Sequence, residues 1–229
     1  MKKYYMAYED RYKKVHSKGY LWEEEGNSQI VLDTIQKYSI KKDDKILDLG
    51  SGEGRDSIFL LKNGYNVLGV DCSGEAVKTC NTLSQNFGIK NYKYKVVDFV
   101  KDDWDKIEKF DFIYSIAVLH MLCEDEDRKA FFKFLKSHLN KNRKALICVL
   151  GDGKTEFVSD YQNAFMEKDR FHKQSNQNIK VASTSLKIVT KENLFKEIYE
   201  NEFCVLEYFI ETKIPGFSEM MSVVIENKI

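Results

Sequence analysis

Neither sign of charge dominates this chain. Acidic and basic side chains number 36 each, for a formal net charge of zero over 229 residues. A protein that grips nucleic acid or an anionic membrane surface needs a cationic excess or a basic face, and this balance supplies no reason to expect either partner. Cysteine is sparse and scattered: Cys72, Cys80, Cys123, Cys148 and Cys204 are odd in number and form no CxxC pair. That argues against a disulfide framework and against a zinc knuckle, so reduced thiols in a cytoplasmic protein are expected. Long apolar runs are missing as well. The longest, residues 112–123, is too short to span a bilayer and reads as a core segment. The opening MKKYYMAYEDR lacks the apolar stretch of a signal peptide. There is no internal repeat and no low-complexity tract.

The length suits a single domain, 1–229, with enough buried surface to need neither metal nor disulfide. Its organisation follows from hydrophobic periodicity. Helical spacing marks residues 4–15 and 29–38, the second with a cap at Asn27 or Ser28, so 1–44 reads as a helical cap. From Lys45 strands and helices alternate: strands at 46–49, 66–70, 92–97, 110–117 and 144–150, helices at 55–62, 74–87 and 126–139. Such alternation implies βαβ units and a parallel sheet covered on both faces, here a doubly wound α/β core over 45–150. The polar stretch 151–190 is long for a connection and reads as a substrate lid with a helix near 160–168. A helix at 191–201 and a hairpin of strands 203–212 and 220–226 close the chain, the hairpin adding antiparallel strands to the sheet edge.

The most informative stretch is Lys45-Ile-Leu-Asp48-Leu-Gly50-Ser51-Gly52-Glu-Gly54-Arg55. An acid followed by glycines at alternate positions, where a strand meets a helix, lets a ligand approach main chain. The loop N–H groups and the helix N-terminus suit an anion, whereas Asp48 suits a cation. A ligand bearing both, such as an amino acid, fits the pair. In open α/β sheets ligands bind beyond the carboxyl ends of the strands. Strand two ends in Asp71-Cys72, about 20 residues past the glycines, the place of an acid that holds ribose hydroxyls. Strand three ends in Asp98-Phe99, and strand four near Ser115 to His120.

With these residues in view, the chain resembles the class I S-adenosylmethionine-dependent methyltransferases. The resemblance rests on ILDLGSGEGRDS (46–57), VLGVDCS (67–73), VVDF (96–99) and FDFIYSIAVLHML (110–122). It implies a mostly parallel seven-stranded sheet, S-adenosyl-L-methionine as cofactor and S-adenosyl-L-homocysteine as product. By the same resemblance Asp48 and the backbone of Gly50, Ser51 and Gly52 would hold the methionine moiety, and Asp71 the ribose hydroxyls. Cys72 would pack on the adenine, Asp98 would meet its amino group with Phe99 beside the ring, and Ser115 and Ile116 would border the methionine end. The Gly-x-Gly-Arg-Asp ending and the upstream aromatics are similar to the small-molecule branch with tellurite-resistance-type and thiopurine-type enzymes. In that branch Tyr12, Tyr20 and Trp22 are candidates to close over the cofactor.

Methyl transfer from a sulfonium needs alignment, and needs a base only if the acceptor must lose a proton. His120 is the candidate base, its competing role being to line the pocket or bond a neighbour. His172 and Asp152 fall in or beside the lid. The acidic run 124–127 reads as the first turn of a helix rather than a metal site. An Asn/Asp-Pro-Pro-Tyr/Phe signature is absent after strand four, as is a basic, aromatic-interleaved segment for RNA. A small-molecule acceptor is therefore expected, in a monomer or homodimer. A nicotinamide oxidoreductase is the weaker alternative, because Arg55 stands where Gly-x-Gly-x-x-Gly needs its third glycine. A non-catalytic cofactor-binding sensor or partner protein is the other.

Overall fold

The computed structural model describes residues 2–101 and 108–228. Its centre is a seven-stranded sheet. The first strands are β1 (Lys45–Leu49), β2 (Asn66–Asp71), β3 (Lys93–Val96), β4 (Phe110–Ile116) and β5 (Leu139–Leu150). Four short strands follow outside this sheet, β6 (Phe157–Val158), β7 (Glu167–His172), β8 (Gln177–Ala182) and β9 (Lys187–Ile188), before β10 (Phe203–Glu211) and β11 (Met220–Asn227) complete it. The sheet order is β3-β2-β1-β4-β5-β11-β10; β11 runs antiparallel to both β5 and β10, and the rest pair in parallel. The order reverses between β1 and β4, which leaves a crevice beyond their carboxyl ends.

Alternation along the strands builds two apolar layers. Leu47, Leu49, Ile113 and Ile147 face one side with Phe131, Phe134 and Leu135 of α5 (Asp125–His138) and Leu194 and Ile198 of α6 (Lys191–Glu200). Ile46, Phe112, Tyr114 and Leu146 face the other, with Ile30, Val31 and Ile35 of α2 (Gln29–Lys37) and Leu60 of α3 (Arg55–Lys62). Of the remaining helices, α1 (Ala7–His16) borders the crevice and α4 (Gly74–Asn86) packs against α1, β2 and β3. Ser73 caps α4, its Oγ accepting from Ala76 N at 3.0 Å, as its residue type favours. Ser28 precedes α2 without capping it by side chain; its hydroxyl donates to Asp56 at 2.8 Å.

The lid region differs from the helix expected near 160–168. One 3-10 turn, Tyr161–Asn163, is followed by the antiparallel hairpin β7–β8, with Glu167 opposite Ala182 and His172 opposite Gln177. Period-two spacing decides the outcome. Ile179 and Val181 of β8 are buried against Val15 of α1, which a hairpin satisfies and an isolated helix at 160–168 does not.

Candidate active site

The glycine loop leads from β1 into α3. Gly50 and Gly52 take φ of +84° and +53°, left-handed values that strain any residue with a Cβ. Space is equally limiting. A Cβ on Gly50 would stand 2.2 Å from Val118 Cγ2, and one on Gly52 1.8 Å from Glu23 Oε1. Across the crevice, Ala117 at the end of β4 also holds a left-handed φ, +62°, unusual for a non-glycine residue.

The loop amides are already engaged. Gly50 and Ser51 N–H both donate to Val70 O (2.8 and 2.9 Å), Gly52 N–H to Asp71 Oδ2 (2.9 Å), and Gly54 N–H to Ser51 O (2.8 Å). Glu53 N–H donates to the Glu23 carboxylate at 2.9 Å. The sequence suggests amides open to an anion; the folded loop instead directs these five toward itself and its neighbours. What it offers a ligand is close approach to backbone, among carboxylates.

A cavity of about 1050 Å³ opens over the loop, large beside the roughly 300–1,000 Å³ of single-ligand pockets. Gly50, Gly52, Asp71, Cys72, Asp98 and Phe99 line its floor. The Asp71 carboxylate accepts from Gly52 N and from Ser73 N (2.8 Å), so it ties the end of β2 to the loop; burial raises its pKa. Asp98 accepts from Tyr5 Oη at 2.8 Å, and the Phe99 ring packs edge-on to Phe131 with centroids 5.7 Å apart. Burial, followed by the Asp71 and Asp98 charges, pushes the Cys72 thiol up, so it is a neutral wall and not a thiolate.

Three expected residues stand behind this floor. Asp48, Ser51 and Ser115 are 4%, 6% and 1% exposed and do not line the cavity. Ser115 Oγ donates to Leu49 O at 2.9 Å, which fixes the strand end from which the loop departs. Burial, with Asp56 nearby, holds the Asp48 carboxyl well above the usual range. All three side chains lie outside the cavity wall, and Ser115 anchors the strand end that carries the loop.

His120 reaches the cavity from the 3-10 turn after β4. Its Nδ1 accepts from Leu150 N–H at 3.1 Å, so the neutral ring carries its proton on Nε2. Burial, with the Arg128 charge adding to it, lowers its pKa to about 3. The general-base role is corrected accordingly. A ring with its lone pair engaged and its cationic form disfavoured presents an N–H donor, not a proton acceptor.

The roof comes from distant parts of the chain. Trp22 and Tyr12 line the cavity, whereas Tyr20 does not and packs with Val15, Ile179 and Val181. His172 lines the roof with Nε2 2.6 Å from Leu21 O, and Asp152 lies outside it, accepting from Lys154 N and Thr155 N in an exposed turn. Two roof residues carry chemistry that the sequence reading overlooked, Glu23 and Arg11. Arg11 is 5% exposed and donates to Ala182 O (2.8 Å), Ser183 O (3.0 Å) and Thr184 Oγ1 (2.8 Å), its guanidinium carbon 4.9 Å from the Tyr8 ring centroid and 4.6 Å from that of Trp22. Among the described residues no carboxylate pairs with it. Burial, aided by Arg170, lowers its pKa. The available signal was helical spacing: Tyr8, Arg11 and Tyr12 lie at i, i+3 and i+4 and share a face.

Residues 46–142 match the methyltransferase-domain family. The EEF1A lysine methyltransferase 2 of mouse is 32% identical over 83 residues, 36% of this chain and 34% of that protein. The probable S-adenosyl-L-methionine-dependent methyltransferase TehB of Haemophilus influenzae is 29% identical over 110 residues, 47% of this chain and 36% of that one. The aligned segments thus span about a third of the length of these curated relatives. The fold matches the Burkholderia thailandensis 1,6-didemethyltoxoflavin-N1-methyltransferase, crystallised with 1,6-didemethyltoxoflavin and S-adenosylhomocysteine. The TM-score is 0.69 at 15% identity, over 99% of this chain and 89% of that one. Residues 46–142 are thus similar to a methyltransferase domain, set in a fold shared with S-adenosylmethionine-dependent methyltransferases.

Proposed function

We propose that the protein transfers the methyl group of S-adenosylmethionine to a small-molecule acceptor held under its roof. The observation that carries this reading is one continuous cavity whose floor is the glycine loop and acidic strand ends, and whose roof is α1, the connection to α2, and β7–β8. The cofactor fits the residues present, because Gly50 and Gly52 line the cavity beside the Asp71 carboxylate, with Val118 and Glu23 packed against the two glycines. When bound, it supplies a methyl group on a sulfonium, open to in-line displacement by a nucleophile.

The chain's own residues then divide the work. Gly50 and Gly52 line the place for the methionine end, with Ser115 tying the end of β1 from behind. Asp71 accepts from the ribose hydroxyls on lone pairs left by its two backbone bonds. Cys72, Asp98 and Phe99 frame the adenine. Trp22 and the hairpin exclude water and align the acceptor, and alignment of this kind contributes on the order of 7–11 kcal/mol in well-oriented reactions. His120 Nε2–H donates a hydrogen bond that orients an acceptor lone pair toward the methyl group. Arg11, Lys168 and Arg170 line the roof without carboxylate partners among the described residues, which suits an acceptor bearing an anionic group.

The lysine methyltransferase among the relatives supports a second acceptor, a protein side chain. Radiolabelled methyl transfer into a cell extract separates the readings. Label in the low-molecular-weight fraction is expected; label retained only on protein would favour lysine. Binding without any transfer would leave a sensor, and the absence of S-adenosylmethionine binding by calorimetry would end the reading altogether.

A further inference from the structure

The charges around the glycine loop do not balance. Five carboxyl groups converge there: Glu23 from the connection between α1 and α2, Asp48 of β1, Glu53 of the loop, Asp56 of α3 and Asp71 of β2. Two basic side chains answer them, and against burial the Glu53 and Glu75 carboxylates raise the His16 pKa. Arg55 lies 3.2 Å from Asp56, and His16 of α1 reaches Glu53 at 2.5 Å and Glu75 at 3.1 Å. Tyr12 of α1 and Cys80 of α4 are the neutral titratable neighbours, both held in their protonated forms by burial and then by the Glu23 charge.

Four of the five carboxyls are accounted for. Glu53 accepts from Trp22 N (2.8 Å), Glu23 N (2.7 Å) and His16; Asp56 from Ser28 N (2.6 Å), Ser28 Oγ and Arg55. Asp71 holds Gly52 N and Ser73 N, and Asp48 is sealed behind the loop. Glu23 alone faces the cavity with a single bond, from Glu53 N–H, and with no cation within ion-pair distance among the described residues. Its Oε1 rests against Gly52 where a Cβ would go. Burial, compounded by the Glu53 charge, raises its pKa to about 8. A carboxyl placed this way lacks a positive partner.

We propose that Glu23 is the counter-ion for the α-ammonium group of the cofactor's methionine moiety, reaching the glycine loop from outside the matched 46–142 domain. This rests on the S-adenosylmethionine reading and adds a residue to it. The loop amides donate to Val70 O, Asp71, Ser51 O and Glu23, and the carboxylate that the connection between α1 and α2 brings against Gly52 supplies the negative charge for an ammonium. At neutral pH the free Glu23 carboxyl holds a proton. Pairing with the ammonium, N–H···O⁻, ionises it, and that proton passes to solvent.

Calorimetry of S-adenosylhomocysteine and of its deaminated analogue, in which hydrogen replaces the amino group, tests this with wild type, Glu23→Gln and Glu23→Asp. Glu23→Gln should weaken S-adenosylhomocysteine about 10- to 100-fold, the range for one charge-assisted hydrogen bond, while leaving the analogue unchanged. Glu23→Asp, charged but shorter, should fall between. Titrations at pH 7 in buffers of different ionisation enthalpy should show the wild type releasing about one proton more than Glu23→Gln, as follows from a pKa near 8. Equal affinities of wild type and Glu23→Gln for S-adenosylhomocysteine would overturn the proposal. So would tighter binding by Glu23→Gln, which would mark Glu23 as an occupant displaced by the ligand. A wild type that binds neither compound would instead refute the cofactor reading beneath it.

Discussion

The floor and the roof of the cavity are built in opposite ways. On the floor, Gly50, Gly52 and Asp71 lie within 22 residues of one another, and backbone bonds hold the geometry: Gly50 and Ser51 N–H to Val70 O, Gly52 N–H to Asp71. The roof is assembled from side chains far apart in sequence. Arg11 grips β8 and the residues after it, Glu24 pairs with Lys173 at 2.8 Å, and Arg55 Nη1 donates to Pro215 O at 3.0 Å. The floor is therefore rigid and local, while the roof depends on long-range contacts that substitutions can loosen separately. This division suits the proposed reading, in which the donor binds below and the acceptor above.

Four variants probe that division. The largest effect is expected for Gly50→Val, where a left-handed φ and the Val118 side chain leave no room for a branched residue. S-adenosylhomocysteine affinity should fall more than about 100-fold and stability by roughly 1–3 kcal/mol, read by calorimetry and urea unfolding. Next, Asp71→Ala strands the Gly52 and Ser73 N–H groups and removes the ribose acceptor, for a loss of about 10- to 100-fold in cofactor affinity. Either variant binding like the wild type would move the donor site off the floor.

Arg11→Leu addresses the roof. Because it frees the Ala182 and Ser183 carbonyls and removes a cavity cation, the KM of the acceptor should rise about tenfold. Cofactor affinity should change by no more than about twofold; equal losses on both sides would dissolve the distinction. The smallest effect concerns His120 at the seam. Its folded-state pKa near 3 lies below the unfolded value near 6.5, so its contribution to stability is complete above pH 6.5 and is lost as pH falls toward 3. The wild type should lose about 1 kcal/mol more per pH unit than His120→Asn over pH 6 to 4.5. Parallel unfolding curves would mean that the ring already binds a proton in the native state.

Legibility in the sequence followed the same boundary. The alternation from Lys45 to Leu150 carried the sheet and its helices, because a strand buried on both faces and an amphipathic helix each leave a periodic trace. The failed third glycine and the acids after β2 and β3 marked a floor whose parts are near in sequence. The β7–β8 hairpin was missed because polar residues dominate β7, and its register is set by Val15 of α1, more than 150 residues upstream. His120 looked like a base from its position alone. Only the Leu150 N–H, brought in by β5, assigns its proton to Nε2.

By itself the sequence determined a doubly wound α/β sheet and a glycine loop fit for S-adenosylmethionine, since both arise from residue spacing and the absence of a side chain. Tertiary structure alone decided which carboxylates face a ligand. Asp48 lies in an apolar strand and Glu23 opens a run of three glutamates, yet the first is sealed behind the loop and the second lies against Gly52 in the cavity. Burial and neighbouring charge arise only when distant segments meet, and they set whether an acidic side chain stays protonated within the fold or awaits a cation.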